Sequence, residues 1–245
     1  MKQEDTKQKI LDKALELFAA KGYDSVSVGD IAEAVGIKAP SLYNHFPGKQ
    51  AIFNAIVEST AAQYEADTDK IDIHVQDVHR DIPIFTEITA DALFEKVRQI
   101  FEYSLHNETI CRFRRMMTIE QFRSPEMNAL FQQYLGTGPL KYTEDLLREM
   151  PGFDRRYRSA AELALEFYGP VFTLINLYDG MDAKGRVSEL LKKHFEHFVY
   201  GISGYRKPYA SMDEYPRSRK YGTAAFMSRL SGPNPIKLTE ELLEN

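Results

Sequence analysis

Between residues 39 and 45 the chain presents a set of side chains suited to contact with nucleic acid: Ala39, Ser41, Tyr43, Asn44 and His45. They are small, polar or aromatic, whereas a purely structural surface helix normally carries charges on its outer face. Hydroxyl, phenol and imidazole groups reach phosphate oxygens, and an amide such as that of Asn44 is able to pair bidentately with adenine in the major groove. The inventory for other chemistry is poor. There is no Glu-x-x-His pair for a carboxylate-bridged metal site, no nucleophile elbow and no phosphate-binding glycine loop, and Cys111 is the single cysteine. His194 and His197 are three apart and could share a metal, but Lys192, Lys193 and Glu196 between and beside them read as a solvated helix face. Neither an enzyme, a metal nor a cofactor is expected.

Such side chains need a short, well-ended helix to hold them. Ser27 is placed to cap a helix whose third residue is Asp30, with Ile31, Ala34 and Val35 as its apolar face and Gly36 as its stop. After a turn at Ile37-Lys38, Pro40 suits the first turn of a second helix and Pro47-Gly48 ends it. Leu42 and Phe46, four apart, bury together and leave the polar set outward. The pattern is a helix-turn-helix. Before it, Asp5 with Gln8 suggests a capping box opening a helix along Ile10, Leu11, Ala14, Leu17 and Phe18 to Gly22. After it, Ile52, Phe53, Ile56 and Val57 predict a fourth helix over about 50–65 that runs toward the rest of the chain.

Residues 6–57 resemble the tetracycline-repressor-like (TetR) transcriptional regulators: an amphipathic helix ending KGYDSVSV, then DIAEAVGI, the LYNHF run and the lysine that opens the next helix. Gly22, Gly36, Tyr43, Phe46 and Lys49 fall together at that family's spacings. The resemblance implies an all-α fold. A three-helix helix-turn-helix DNA-binding domain at 1–50 would precede a helical-bundle ligand-binding and dimerisation domain at 51–200. It further implies that Lys49 and Tyr43 contact phosphates and that His45 contacts the backbone. Ala39, Pro40, Ser41 and Asn44 would then form the base-facing surface, with Ser27 and Val28 where the preceding helix meets the phosphates.

Beyond residue 65 the pattern is helical with interruptions. Residues 66–89 break it; Ile71 to Val75 alternate with period two, but with no partner strand an irregular connection is expected. Helices follow along Leu93, Phe94, Val97, Ile100 and Phe101, then over about 108–122 with Ile110, Phe113, Met116 and Met117 inward. Ser124-Pro125 starts another, and Gly136-Thr137-Gly138-Pro139 separates it from the next. From Ala160 to Tyr178 apolar residues wrap the whole circumference, so this helix must be covered on both sides. With Gly169-Pro170 kinking it, and with residues 186–200, it predicts a four-helix dimer interface carried by Val171, Leu174, Ile175, Tyr178, Leu191, Phe195 and Phe198. The inward aromatics and methionine Phe94, Phe101, Tyr103, Phe113, Met117, Phe122, Phe167, Tyr168 and Phe172 are ordinary core in any helical domain, and the resemblance makes them candidates for a small-molecule pocket as well. Of Arg112, Arg114 and Arg115, one guanidinium is available to take an acidic ligand; Glu108 offers Arg112 a surface partner.

Composition sets bounds. At 245 residues, 43% apolar with a mean hydropathy of −0.41, the chain can bury a large core, and no apolar window suggests a membrane span. The polar N-terminus and lone cysteine suit a cytoplasmic protein. Residues 1–50 hold seven lysines against seven acids, so the net charge of −5 comes from the remainder. Non-specific DNA affinity should be modest, with binding resting on a few placed contacts. Residues 201–237 hold seven Lys or Arg against two acids with five aromatics and four prolines, a basic extension that is either a solvated tail or an arm touching DNA or a partner subunit. The expectation is a dimeric repressor of a palindromic operator, released by a small-molecule effector. Two other readings stay open: an all-helical carrier or enzyme that keeps the head as structure, and a regulator controlled by a protein partner.

Overall fold

Local hydrogen bonding decides where the first helices begin and end. The computed structural model describes residues 2–75, 77–149, 159–178 and 184–202; among them the regular elements are all helices, and none is long and apolar enough to cross a membrane. Helix α1 (Lys2–Lys21) begins earlier than a capping box at Asp5 would place it. Asp5 lies inside the helix and pairs with Lys9 at 3.3 Å, while Gln8 donates to Asp12 at 2.9 Å; side-chain pairs one turn apart support the helix instead of a cap. Gly22 ends it in the left-handed region, φ 77°.

Helix α2 (Val28–Val35) is capped as its sequence requires, with the Ser27 hydroxyl accepting from Asp30 N and the Asp30 carboxylate accepting from Ser27 N. At its other end Gly36 takes φ 79° and Ile37 N donates to Ala32 O at 2.9 Å, a left-handed exit that other residues adopt only with strain. Helix α3 (Ala39–Leu42) is shorter than expected and continues as a hydrogen-bonded turn through His45. Helix α4 (Lys49–Asp69) runs longer than 50–65. Its buried stripe is Ile52, Phe53, Ile56 and Val57, followed by Thr60 and Thr68.

The core of these four helices does not stop at the head. Ile10, Phe18, Ile31, Leu42, Phe46 and Phe53 share one apolar cluster with Met116 and Met117 of α7 (Glu108–Glu120) and with Met127 and Phe131 of α8 (Pro125–Tyr134).

The connection after α4 is irregular over residues 70–75, with no strand there; Asp72 takes φ 53°, which breaks an extended run. Residues 78–87 form a helix the sequence reading passed over, α5 (Val78–Glu87), capped by Asp77 and carrying Pro83 inside it. Its inward Asp81 is fully buried, bonded to His74 N at 2.9 Å, to His74 Nδ1 at 2.5 Å and to the Tyr142 hydroxyl. A buried carboxylate on the apolar face is what hid the period. Helix α6 (Ala90–His106) is capped by Thr89, α7 by Asn107 and α8 by Ser124. The Gly136–Pro139 run is not a spacer, because α9 (Thr137–Glu149) already begins within it. A Cβ on Gly138 would lie 1.9 Å from Gln133 O, so α8 and α9 meet through a contact only glycine allows.

Helices α10 (Ala160–Tyr178) and α11 (Lys184–Ile202) close the body, and α10 continues as helix through Pro170. The residues expected at a subunit interface are largely spent inside one chain. Val171, Tyr178, Leu191 and Phe195 are buried in a cluster with Phe101 and Leu105 of α6; Phe198 is buried with Leu147 and Leu163, and Leu174 and Ile175 are half-buried. They pack within the protomer, with Leu174 and Ile175 keeping part of their surface exposed. Leu165, 61% exposed, is the large apolar residue that α10 leaves outside. The basic extension from residue 203 onward lies outside the described residues.

Candidate nucleic-acid surface and ligand cavity

The turn geometry of α2 and α3 sets out the polar residues singled out in the sequence. Leu42 and Phe46 are buried beneath them. Pro40, Ser41, Tyr43 and Asn44 are exposed together, Tyr43 at 55%, while Ala39, His45 and Val28 are half-buried. Ser27 is exposed, but its hydroxyl is engaged with Asp30 at 2.6 Å. That hydrogen bond, with the one from Ser27 N, holds the Asp30 carboxyl below its ordinary range.

Lys49 has a role the sequence did not disclose. Its ammonium donates to Tyr23 O and to Val26 O, both at 2.8 Å, and lies 4.1 Å from the centre of the Tyr23 ring. Two of its three donors therefore fasten the start of α4 to the α1–α2 loop. The Arg123 guanidinium also sits over this ring, 4.3 Å from the Tyr23 centroid. Glu120, buried at the end of α7, accepts from Tyr23 N at 2.7 Å and faces Arg123 Nε at 2.6 Å. Gly22 makes this approach possible: besides its positive φ, a Cβ there would meet Ile119 Cγ2 at 3.3 Å. The head is thus clamped to α7 through Tyr23.

The other half of α7 walls a cavity of about 560 Å³ lined by residues of α4 to α11. Five of the nine pocket candidates line it: Phe101, Phe113, Phe167, Tyr168 and Phe172. Phe94 packs beside the α6–α10 cluster, Met117 is buried in the core shared with the head, and the Tyr103 hydroxyl donates to Asp67 at 2.8 Å. Phe122 is 87% exposed, because α7 ends at Glu120 and the helical period no longer applies beyond it. Several residues named for the dimer, Val171, Ile175, Phe195 and Phe198, also line the cavity.

The polar groups of the cavity are few. Of the three arginines, Arg112 pairs with Glu108, Arg115 is exposed, and Arg114 is only 4% exposed and lines the wall, its Nη1 donating to Ser104 O at 2.8 Å. Tyr64 of α4 also lines the wall, and burial pushes its hydroxyl pKa up, partly countered by the Ser104 side chain. Tyr168 donates to Leu135 O at 2.7 Å and is raised by burial as well, partly countered by Arg114. Tyr64 had a sequence signal: Ile56, Thr60, Tyr64 and Thr68 recur every fourth residue, a stripe that turns polar where α4 leaves the head. His194, a possible metal ligand by spacing, has Nε2 2.8 Å from Phe167 O, and among the described residues no group of His, Cys, Asp and Glu is gathered to hold a metal.

A helix-turn-helix head on a helical body, with an internal apolar cavity bordered by α4 and α7, both of which also pack in the head's core, is the architecture of one-component transcriptional regulators. The sequence pattern of "Bacterial regulatory proteins, tetR family" matches residues 10–56, and the chain belongs to the TetR family of transcriptional regulators. It is 43% identical over 60 residues to the HTH-type transcriptional repressor ComR of Escherichia coli K12, a match covering 23% of this chain and 29% of that one. The body is related by fold. A TetR-family regulator from Streptomyces coelicolor superposes with a TM-score of 0.60 at 16% identity over 82% of this chain and 97% of the other. The regulator FadR from Bacillus subtilis, solved with stearoyl-CoA, gives 0.50 at 18% identity over 80% and 98%.

Proposed function

We propose that the protein is a ligand-responsive repressor acting as a homodimer. Residues 1–50 are its DNA-binding head, 51–200 its ligand-binding and dimerisation body, and 201–245 a basic extension. Two heads related by a twofold axis read the half-sites of a palindromic operator. Pro40, Ser41, Asn44 and Ala39 face the bases, Tyr43 and the remaining donor of Lys49 take phosphates, and Ser27, Val28 and His45 flank them. The outward side of α10 and α11, where Leu165 stands exposed, supplies the subunit contact.

The observation that carries the reading is that one rigid helix, α7, lines the cavity with Ile110, Phe113 and Arg114 and grips the head with Glu120. Arg114 and Glu120 are roughly 9 Å apart along the axis at 1.5 Å per residue. A small-molecule effector that fits the cavity better in one position of α7 than another shifts the head by that difference in affinity and by no more. The bound stearoyl-CoA of the FadR neighbour supports a hydrophobic effector.

Fluorescence anisotropy with DNA fragments tiled across the flanks of the protein's own gene, at two salt concentrations with competitor DNA, tests this. Saturable binding to one fragment that weakens steeply with salt is the expected result. Weak binding equal on all fragments would favour a helical carrier that retains the head as structure.

A further inference from the structure

The ammonium of Lys7, on α1, lies over the Phe46 ring, 5.4 Å from its centre. Phe46 is 4% exposed and with Leu42 underlies the turn that presents Tyr43 and Asn44. Lys7 itself is exposed, three and four residues ahead of the buried Ile10 and Leu11, so it prolongs the inner stripe of α1 from the shared core out to the rim of the recognition turn. Other lysines of the head are engaged differently. Lys9 pairs with Asp5 at 3.3 Å, Lys13 pairs with Glu16 at 2.9 Å, and Lys49 gives two donors to the carbonyls of Tyr23 and Val26. Among the described residues no carboxylate pairs with Lys7. A ring face attracts an ammonium without neutralising it as a carboxylate does, so its charge and donors stay open to an anion. With seven lysines against seven acids over residues 1–50, the head has no broad basic field, and each placed cation counts the more.

We propose that Lys7 is a phosphate contact of the head: α1, a supporting helix in the helix-turn-helix pattern, delivers this ammonium to the DNA backbone beside the groove that the recognition turn enters. This rests on the head binding DNA. The Phe46 ring holds the lysine stem in place, so part of its rotamer freedom is already given up before DNA arrives. A contact of this kind reads no base and instead fixes how the recognition turn is seated on the duplex. The plain alternative is a lysine whose stem only covers the ring, and that alternative predicts no dependence of DNA binding on the charge.

The test follows the anisotropy of a labelled duplex of mixed sequence with the full-length protein over a series of salt concentrations, since phosphate contacts act on any sequence. Lys7→Met keeps an apolar stem over Phe46 and removes the charge. It should reduce the slope of log affinity against log salt by about 0.9 for each head bound, with thermal unfolding unchanged, whereas Lys7→Arg should keep the slope. Lys9→Met removes the same charge from the same helix, at a lysine already paired with Asp5, and should change the slope much less. An unchanged slope in Lys7→Met overturns the assignment and leaves Lys7 as a cover for Phe46. Equal reductions in Lys7→Met and Lys9→Met overturn it in favour of a diffuse charge effect. Absence of salt-dependent binding by the unsubstituted protein would overturn the DNA-binding reading along with this contact, which tells the two failures apart.

Discussion

Tyr43 and Lys49 fall in one short segment and enter the same proposal, yet they differ in what holds them. The Tyr43 side chain is exposed and rests on the turn after α3, so Tyr43→Ala should weaken operator binding by about 1–3 kcal/mol and leave thermal unfolding unchanged. Lys49 holds two carbonyls of the α1–α2 loop. Its replacement by alanine should lower stability by about 1.5–3 kcal/mol as well as DNA affinity, because hydrogen bonds to a charged donor are lost; circular dichroism melts alongside anisotropy separate the two effects. Asp30 adds a pH dependence. Its folded-state pKa is depressed by the bonds to Ser27, so its contribution is present above the unfolded value of 3.8 and is lost as pH falls through the lower folded one. The melting temperatures of the protein and of Asp30→Asn should therefore differ at neutral pH and converge in acid.

At the scale of the element, α7 is the part on which the proposed response turns. Glu120→Ala leaves Tyr23 N without its buried acceptor, a cost of about 1–3 kcal/mol. The more telling consequence is functional: the ratio of operator dissociation constants with and without a cavity ligand should shrink toward one, because the ligand no longer moves the head through Tyr23. An unchanged ratio in this variant would assign transmission to α4. Helix pairing gives a second expectation. Alanine is the better helix former by about 1 kcal/mol, yet Gly138→Ala should lower the melting temperature, because its Cβ would press on Gln133 O and force α8 from α9.

For the whole molecule, the head and the first helices of the body share one apolar cluster, so head and body should unfold in a single transition that cavity ligands move upward. Separate head and body transitions in calorimetry would break that expectation. The sequence by itself determined the helix-turn-helix, because Ser27, Asp30, Gly36 and Pro40 act on backbone groups within four residues of themselves, and such chemistry reads directly from spacing. It also marked the start of α8 at Ser124-Pro125, whereas the cap read at Asp5 lies inside α1. It passed over α5, where a buried aspartate with His74 and Tyr142 of α9 as partners stands in place of an apolar residue. Tertiary structure alone decided what covers each apolar face: the all-round apolar α10 reads the same whether its cover is a second subunit or, as with Val171 and Tyr178, the chain's own α6 and α11. It alone turned Arg114 inward and set Glu120 against Tyr23, 97 residues apart. Burial and partnership at that separation come from how helices pack, which the period of one helix does not encode.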